Sequence, residues 1–588
     1  MNHSNRDIAD LLRSVGTALT LKKRNPFEVK AYGNAADAIE HSTAEVKDLW
    51  EEGKLDQIPG VGKTIQAALN DLFKHGDSKH FDTLMDGIPK VVFELIKVPG
   101  IGPKTASEFA DLGIKSISDL QSEIKNGKLV HKGFSAKMAE RIAGGILEHE
   151  SLQTGRMLLP YATTQAEQII AYLKKSPDVL EVDPLGSLRR QVATIGDLDF
   201  AASSKSPSKV VEYFTKMPGV KEVIEKGEDK SMVLLNSGIH ADILVGFPEN
   251  YGALLQHFTG SKHHNIKLRT YALKHNLSLS DKGVKNIKTG KVVNIKKESE
   301  LYEMLKMDTP DPEIREDNGE IEAALAHKLP KLVTLNDIKG DLHLHSNFPF
   351  KNPSHGPGAN PLKEIVEKAK SLGYEYVGLS DHPSGHKMAS QEQMVKEIEA
   401  RTKEIEHIKS SERTIKVLNG LEIDILPDGT LSVLNELLAN LDYVIAGIHS
   451  GHRQTTKEQM TKRILAALSN PHVDIISHPT GRILNERESY EADWDAIFKY
   501  AAKHHKLLEI NSFYNRLDLR DDLVKSALEF GVKFVIDTDA HEISQMDNMR
   551  FGVSVARRGW AQSKDIVNTW EWKKFAEWFN IKAESGKR

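Results

Sequence analysis

Three aspartates carry the first chemistry. Asp197 and Asp199, in Gly196-Asp-Leu-Asp199, stand two apart in a predicted strand and share one face, leaving Leu198 and Phe200 to the other. Asp242 lies in a second predicted strand, HADILV, where Ala241 and Ile243 face the core and the acid faces away. Pairing the two strands gathers three carboxylates. Unit charges about 4 Å apart repel by ~4 kcal/mol at an effective dielectric near 20, so the cluster requires bound cations; Mg2+, or Mn2+, fits. In a two-metal site one ion lowers the pKa of an attacking hydroxyl and the other holds a triphosphate for in-line displacement. Just upstream, the turn Gly186-Ser-Leu-Arg-Arg190 offers a backbone N–H, the Ser187 hydroxyl and the Arg190 guanidinium to the phosphates. A bare Asp-x-Asp is usually a solvated strand edge; this turn and the third acid set this one apart.

A second set of metal-binding groups lies beyond residue 338. Seven β-rich runs alternate there with helical stretches: KGDLHLHS, EYVGLSDH, KVLNGLEID, YVIAGIHS, VDIISHP, KLLEINS and KFVIDTDAH. Seven β-α units predict a parallel barrel related to the eight-unit type. Six of the strands end in potential ligands: His343 and His345, His382, Glu422, His449, His478, and Asp539 with His541. Any one such histidine is more often a surface or core residue, but their shared placement at strand ends, where barrel chemistry belongs, argues against coincidence. The chain has no cysteine, so His, Asp and Glu must hold any metal. These groups suit Zn2+, Mn2+ or Fe, and there are enough of them for two or three ions. Arg482 and Arg516 read either as phosphate holders at the rim or as structural ion-pair partners.

The rest of the chain must position these groups. Its 588 residues exceed one core and suggest about three to five folded units. With 39% hydrophobic and 28% charged residues, most of the chain should fold. No apolar run reaches about 18 residues and the N-terminal segment lacks a signal core, so a cytoplasmic protein with no membrane partner is expected. A net charge of −4 gives no global attraction for a polyanion, so nucleic-acid contact must come from local patches such as 262–297, rich in Lys and Arg with Asp281 as its one acid. Residues 6–150 have helical spacing throughout. Two turns there repeat, Ile58-Pro-Gly-Val-Gly-Lys63 and Val98-Pro-Gly-Ile-Gly-Pro-Lys104. Glycines at a helix start let a phosphate approach free N–H groups, so Gly60, Gly62, Lys63, Gly100, Gly102 and Lys104 predict helix-hairpin-helix contacts that ignore base sequence. A third turn, Lys132-Gly-Phe-Ser-Ala-Lys137, lacks the second glycine and is assigned no contact. Residues 151–250 alternate between helix and short strands. The stretch 251–325 starts with a helix and a Gly-Ser turn and continues as a basic, loop-rich segment.

In GSLRR and GDLD, in YGALLQHFTGSKHHNIKLR, and in the two Pro-Gly-x-Gly turns, the chain resembles family X DNA polymerases over roughly residues 1–325. The resemblance implies that Ser187 and Arg190 bind triphosphate near Gly186 and Gly196, and that the three acids hold metal. It implies that Phe258 and Gly260 line the sugar pocket, and that Asn265 and Arg269 reach the nascent pair and template strand from the minor groove. Two positions depart from the family. His257 stands where a tyrosine usually flanks the incoming sugar, which predicts weaker discrimination against ribonucleotides. Ala68 stands where eukaryotic relatives carry a Schiff-base lysine, so no lyase activity is expected from that position; Lys63 is the alternative nucleophile.

Through GDLHLH, LSDH, GLEID, IHSG, SHPTGR and DTDAH, residues 338–575 resemble the PHP (polymerase and histidinol phosphatase) domain that bacterial family X polymerases often carry. That resemblance implies nine ligands. The usual Ser-Asp-Gly is replaced by Ser354-His355-Gly356, so His355 is expected to ligate in the acid's place. The expected organisation is an all-α helix-hairpin-helix region (1–85 and 86–150), an α/β nucleotidyltransferase palm (151–247), an α+β nascent-pair subdomain (248–327), a linker (328–337) and a (βα)7-type PHP barrel (338–577). The expected activity is gap-filling synthesis from dNTPs on gapped or primer-template DNA by a monomer, with 3′-5′ trimming by the barrel, in base-excision or end repair. The alternatives are a DNA-tethered phosphoesterase with an inert polymerase half and a small-molecule phosphatase of the histidinol-phosphate type.

Overall fold

The computed structural model describes residues 5–581 except 41–45, 47–49, 51, 52, 59, 99, 127, 128, 130–133, 136, 137, 140, 147, 148, 150–155, 237, 353, 354, 386–388, 453–455 and 486. Most of the third turn, Lys132 to Lys137, and Ser354 therefore lie outside the described residues. The chain forms two compact units, Met1–His149 and Glu150–Arg588.

In the first unit every described element is helical. Leu12, Val15 and Leu19 recur at helical spacing in Asn5–Leu21 and bury their side chains completely against Ala35, Ile39 and Leu69. A second core gathers Val92, Leu95, Phe109 and Ile142. Both predicted hairpins lead into helices, with Gly62 capping Lys63–His75 and Gly102 capping Pro103–Asp111. Gly60 has φ +82, and a Cβ there would fall 2.7 Å from the Ala35 nitrogen, so only glycine allows this turn to seat on the preceding helix. Val61 and Ile101 plug the two turns into their cores, while Gly62, Lys63, Gly102 and Lys104 stay exposed. Ala68 is buried on the inner face of its helix, a position with no room for a solvent-facing lysine.

The second unit begins with a short antiparallel pair, β1 (Met157–Leu158) and β3 (Thr194–Ile195). Five strands, β2 (Glu181–Pro184), β4 (Leu198–Ser203), β5 (Val220–Lys226), β6 (Lys230–Leu235) and β7 (His240–Gly246), form a sheet in the order β2-β4-β7-β6-β5. Only β4 and β7 within it run parallel. Alternation in β7 buries Ala241, Ile243 and Val245 and turns Asp242 and Leu244 the other way. The basic stretch is more ordered than a loop-rich reading suggests. It folds as β8 (Leu277–Ser280), β9 (Gly283–Asn286) and β10 (Val292–Val293), antiparallel strands of four residues or fewer whose alternation was too short to register.

Seven parallel strands follow in chain order: β11 (Gly340–Asp341), β12 (Tyr376–Leu379), β13 (Lys416–Asp424), β14 (Tyr443–Gly447), β15 (Ile475–Ile476), β16 (Leu507–Asn511) and β17 (Lys533–Asp537). Their side chains are almost all buried on both faces, as parallel strands under helices require. A bridge between Leu344 and Ala540 joins the extensions of the first and last strands, so the barrel is nearly closed at its C-terminal mouth.

Candidate active sites

Asp199 in β4 is paired in register with Asp242 in β7, which puts their side chains on the same face of adjacent strands. Asp197 lies in the bend just before β4 rather than in the strand, and is exposed while the other two are half-buried. Burial first, then the charges of Asp242 and Asp197, push the Asp199 carboxyl up to about 6 against the pull of Arg190. Asp242 is raised by burial and by Asp197. Carboxylates that resist ionisation together are the environment a divalent cation stabilises, so the residues fit a metal. Gly186 has φ +55, and a Cβ on it would stand 2.6 Å from Asp199 Oδ2, so the turn approaches the acids as closely as glycine permits. Leu185 N donates to the Asp199 carbonyl at 2.8 Å and fixes that approach.

Ser187 and Arg190 lie in and just after the short helix Gly186–Arg189, and Gly196 immediately precedes Asp197. Arg190 Nε donates to Glu316 at 3.0 Å and its Nη1 to the carbonyl of Thr259, next to Gly260. Arg189 pairs with Glu298 at 2.9 Å, and Glu298 also binds Arg315. His257 and Phe258 lie in the last turn of the helix Tyr251–Thr259. Arg269 Nη2 reaches the His257 ring at 2.9 Å, and Asn265 Nδ2 donates to the His257 carbonyl at 2.7 Å. Burial and then Arg269 lower the His257 pKa against the pull of Asp281. The structure therefore joins His257, Asn265 and Arg269 in one group, a link sequence spacing did not reveal. Behind them the buried His264 bridges Glu320 at 2.7 Å and Tyr302 at 2.9 Å.

At the barrel mouth the predicted groups converge. Four sets of ligand atoms lie within 4.8 Å of one another: His345, His382 and His541; His355, His382 and His449; His343, His345, Glu422 and Asp539; Glu422, His449 and His478. Together they include all nine expected ligands. Glu422 is central, within 3.0 Å of His343, His382 and His478 and 3.3 Å from His449. The His355 ring stacks on His382 at 4.0 Å, so the long loop does deliver it to the cluster. Burial opposes charge on His343, yet Glu422, Asp539 and Glu509 outweigh it and hold that ring well above its ordinary value. Burial, then His541, drives His345 well below it. The Nδ1 atoms of His345 and His478 are buried without a hydrogen-bond partner among the described residues. Leaving a buried nitrogen unpaired costs about 1–3 kcal/mol, so these rings fit bound metal. His478 (φ 30) and Asp539 (φ 54) take left-handed backbone conformations that side chains avoid, strain of the kind held at functional sites.

Sequence reasoning passed over the support around these ligands. Glu509, on the one strand credited with no ligand, accepts from His343 Nδ1 at 2.5 Å and from the His478 backbone. A lone acid in the apolar run LLEIN was the available signal, since a buried carboxylate needs a partner. Asp424 accepts from His449 Nδ1 at 2.6 Å and lies 3.5 Å from His355 Nε2; it shares the Glu422 face by simple alternation. Arg482 is structural, donating to the carbonyls of Arg516 and Leu517, whereas Arg516 Nε points into the site 3.6 Å from Asp539.

Comparison with known families agrees with this layout. A helix-hairpin-helix domain model matches residues 3–78, a SAM-like helix-hairpin-helix tandem 92–143, a DNA polymerase beta thumb 254–316 and a PHP domain 341–513. Probable phosphatases resemble part of the chain. One from Caldicellulosiruptor saccharolyticus is 28% identical over 32% of this chain and 75% of its own, and one from Thermoanaerobacter pseudethanolicus is 26% identical over 39% and 89%. The DNA polymerase/3′-5′ exonuclease PolX of Bacillus subtilis is 34% identical over 567 residues, 96% of this chain and 97% of that one. With identity of that level along nearly the whole of both chains, the protein belongs to the PolX family, the family X DNA polymerases that carry a C-terminal PHP domain.

Proposed function

We propose that this enzyme fills short gaps in DNA from dNTPs at the Asp197, Asp199 and Asp242 centre and trims 3′ ends at the barrel mouth. The observation that carries the reading is the register pairing of Asp199 with Asp242 beside the Gly186 turn, in a chain that holds a separate nine-ligand cluster. At both centres divalent cations supply charge neutralisation and activation of the attacking oxygen, Mg2+ or Mn2+ at the acids and two or three Zn2+, Mn2+ or Fe ions in the barrel.

Asp242 faces the primer 3′-hydroxyl, and Asp197 and Asp199 share the triphosphate side. Ser187 and the Gly186 turn orient the β and γ phosphates, and Arg190 neutralises charge on the bound triphosphate. Phe258 and Gly260 shape the sugar pocket, with His257 as its gate. Asn265 and Arg269 lie on the minor-groove side of the new pair. The hairpins at Gly60, Gly62 and Lys63, and at Gly100, Gly102 and Lys104, grip phosphates on either side of a gap, each contact adding about 0.9 to the salt slope. In the barrel, Glu509 orients His343, Asp424 orients His449, and Arg516 approaches the phosphodiester. Such an activity suits base-excision or end repair.

A gapped primer-template assay with Mg2+ or Mn2+, with and without dNTPs, tests this. Wild type should extend the primer and, without dNTPs, shorten it; Asp197→Ala should only shorten it and His343→Ala only extend it. A wild type that shortens but never extends the primer would leave a DNA-tethered phosphoesterase, and normal extension by Asp197→Ala would remove the acid cluster from the polymerase reaction. Normal shortening by His343→Ala would remove the barrel from the nuclease reaction.

A further inference from the structure

The helix Met549–Arg558 follows the last barrel strand, yet its C-terminal end does not serve the barrel alone. Arg558 is 9% exposed, and its Nε is anchored on Asp521 of the barrel at 2.8 Å. Its Nη1 crosses to the polymerase half, donating to the Arg190 carbonyl at 2.8 Å and to Glu316 Oε1 at 3.0 Å. The same Glu316 oxygen accepts from Arg190 Nε at 3.0 Å, so one carboxylate is shared by two guanidinium groups. One turn earlier Ser554 Oγ donates to Gln191 at 3.2 Å, and Gln191 holds the left-handed conformation (φ 54) that ends the Gly186–Arg189 helix. Arg557 binds Glu313 at 2.8 Å and ties down the segment leading to Glu316.

We infer that Arg558 is a positioning residue for the polymerase reaction: the nuclease barrel, through Arg558 and Glu316, holds Arg190 in place for the triphosphate of the incoming nucleotide. The inference rests on the reading of Arg190 as a phosphate ligand. Two physical effects support it. Sharing Glu316 Oε1 with Arg558 divides that oxygen between two guanidinium groups, so Glu316 holds Arg190 less tightly than an exclusive ion pair would. The Arg558 bond to the Arg190 carbonyl also fixes the backbone of the turn, while Arg190 Nη2 keeps no partner among the described residues and remains available to an anion. Arg558 itself touches neither the acids nor the barrel ligands.

Single-nucleotide gap filling by the full chain tests this, with exonuclease rate measured in parallel. Arg558→Ala should raise the dNTP KM about tenfold with little change in kcat and no change in exonuclease rate, as loss of a ground-state phosphate contact requires. Arg558→Lys, which still neutralises Glu316, should recover part of the KM. Adding Glu316→Gln to Arg558→Ala should also recover part, because the acid left to capture Arg190 is gone. An unchanged KM in Arg558→Ala, when Arg190→Ala raises it, overturns the inference. So does a parallel loss of both activities that Arg558→Lys fails to rescue. An unchanged KM in Arg190→Ala overturns the phosphate reading beneath it.

Discussion

The two metal centres solve the same electrostatic problem with opposite degrees of enclosure. At the polymerase centre the candidate ligands are three carboxylates, Asp199 and Asp242 on the interior strands β4 and β7 of an antiparallel-rich sheet and Asp197 exposed in the bend before β4. At the barrel mouth seven histidines and two acids are gathered from six strand ends and one loop, and Glu422 and His343 are excluded from solvent. A sparse all-oxygen site would leave most of a cation's coordination to water and substrate phosphates, so an ion there is expected to be held weakly without nucleotide. A crowded imidazole site would complete the coordination from the protein and is expected to retain its ions between turnovers. The difference in enclosure predicts one centre that borrows its metal and one that owns it.

This contrast can be broken by substitution. Asp242→Ala should have the largest effect, lowering nucleotide incorporation by roughly 10^3-fold or more, since several kcal/mol of charge stabilisation vanish. Exonuclease rate should stay normal; a matching fall would mean that the two centres act as one. His355→Ala removes the one ligand delivered by a loop, and should cost an ion and about 10^2-fold in exonuclease rate. Full metal content and rate in that variant would return His355 to the status of a loop residue. Glu509→Gln keeps the shape but weakens the hold on His343, and a loss of about 10-fold to 100-fold in metal affinity is expected by titration with a chelator. No change would reduce Glu509 to a buried packing acid. His257→Tyr should have the smallest effect, improving the preference for dNTPs over NTPs by roughly tenfold in primer-extension kinetics. Equal or greater selectivity in wild type would show that His257, held by Arg269, already guards the sugar.

What could be read from the sequence depended on locality. Asp199 and Asp242 were legible because each sits in a strand whose apolar neighbours fix its face, and the barrel ligands because each follows a buried β run. His355 was reached only by family resemblance, since nothing in NPSHGPG fixes where that loop goes. The strands β8 to β10 escaped because four-residue alternation among lysines looks like a loop. Glu509 and Asp424 stood in plain view, but their roles follow from what lies across the barrel. The contacts of Arg558 with Arg190 and Glu316 span more than 240 residues of chain and had no local signal at all.

Metal analysis of the purified full chain, after exhaustive dialysis against metal-free buffer and without nucleotide, bears most directly on the contrast between a borrowed and an owned metal. Wild type and Asp242→Ala should both retain two or three ions per chain, and Glu422→Gln should lose at least one, because Glu422 joins two of the four ligand sets. A wild type stripped of metal by dialysis, or a drop in metal content caused by Asp242→Ala, would contradict it.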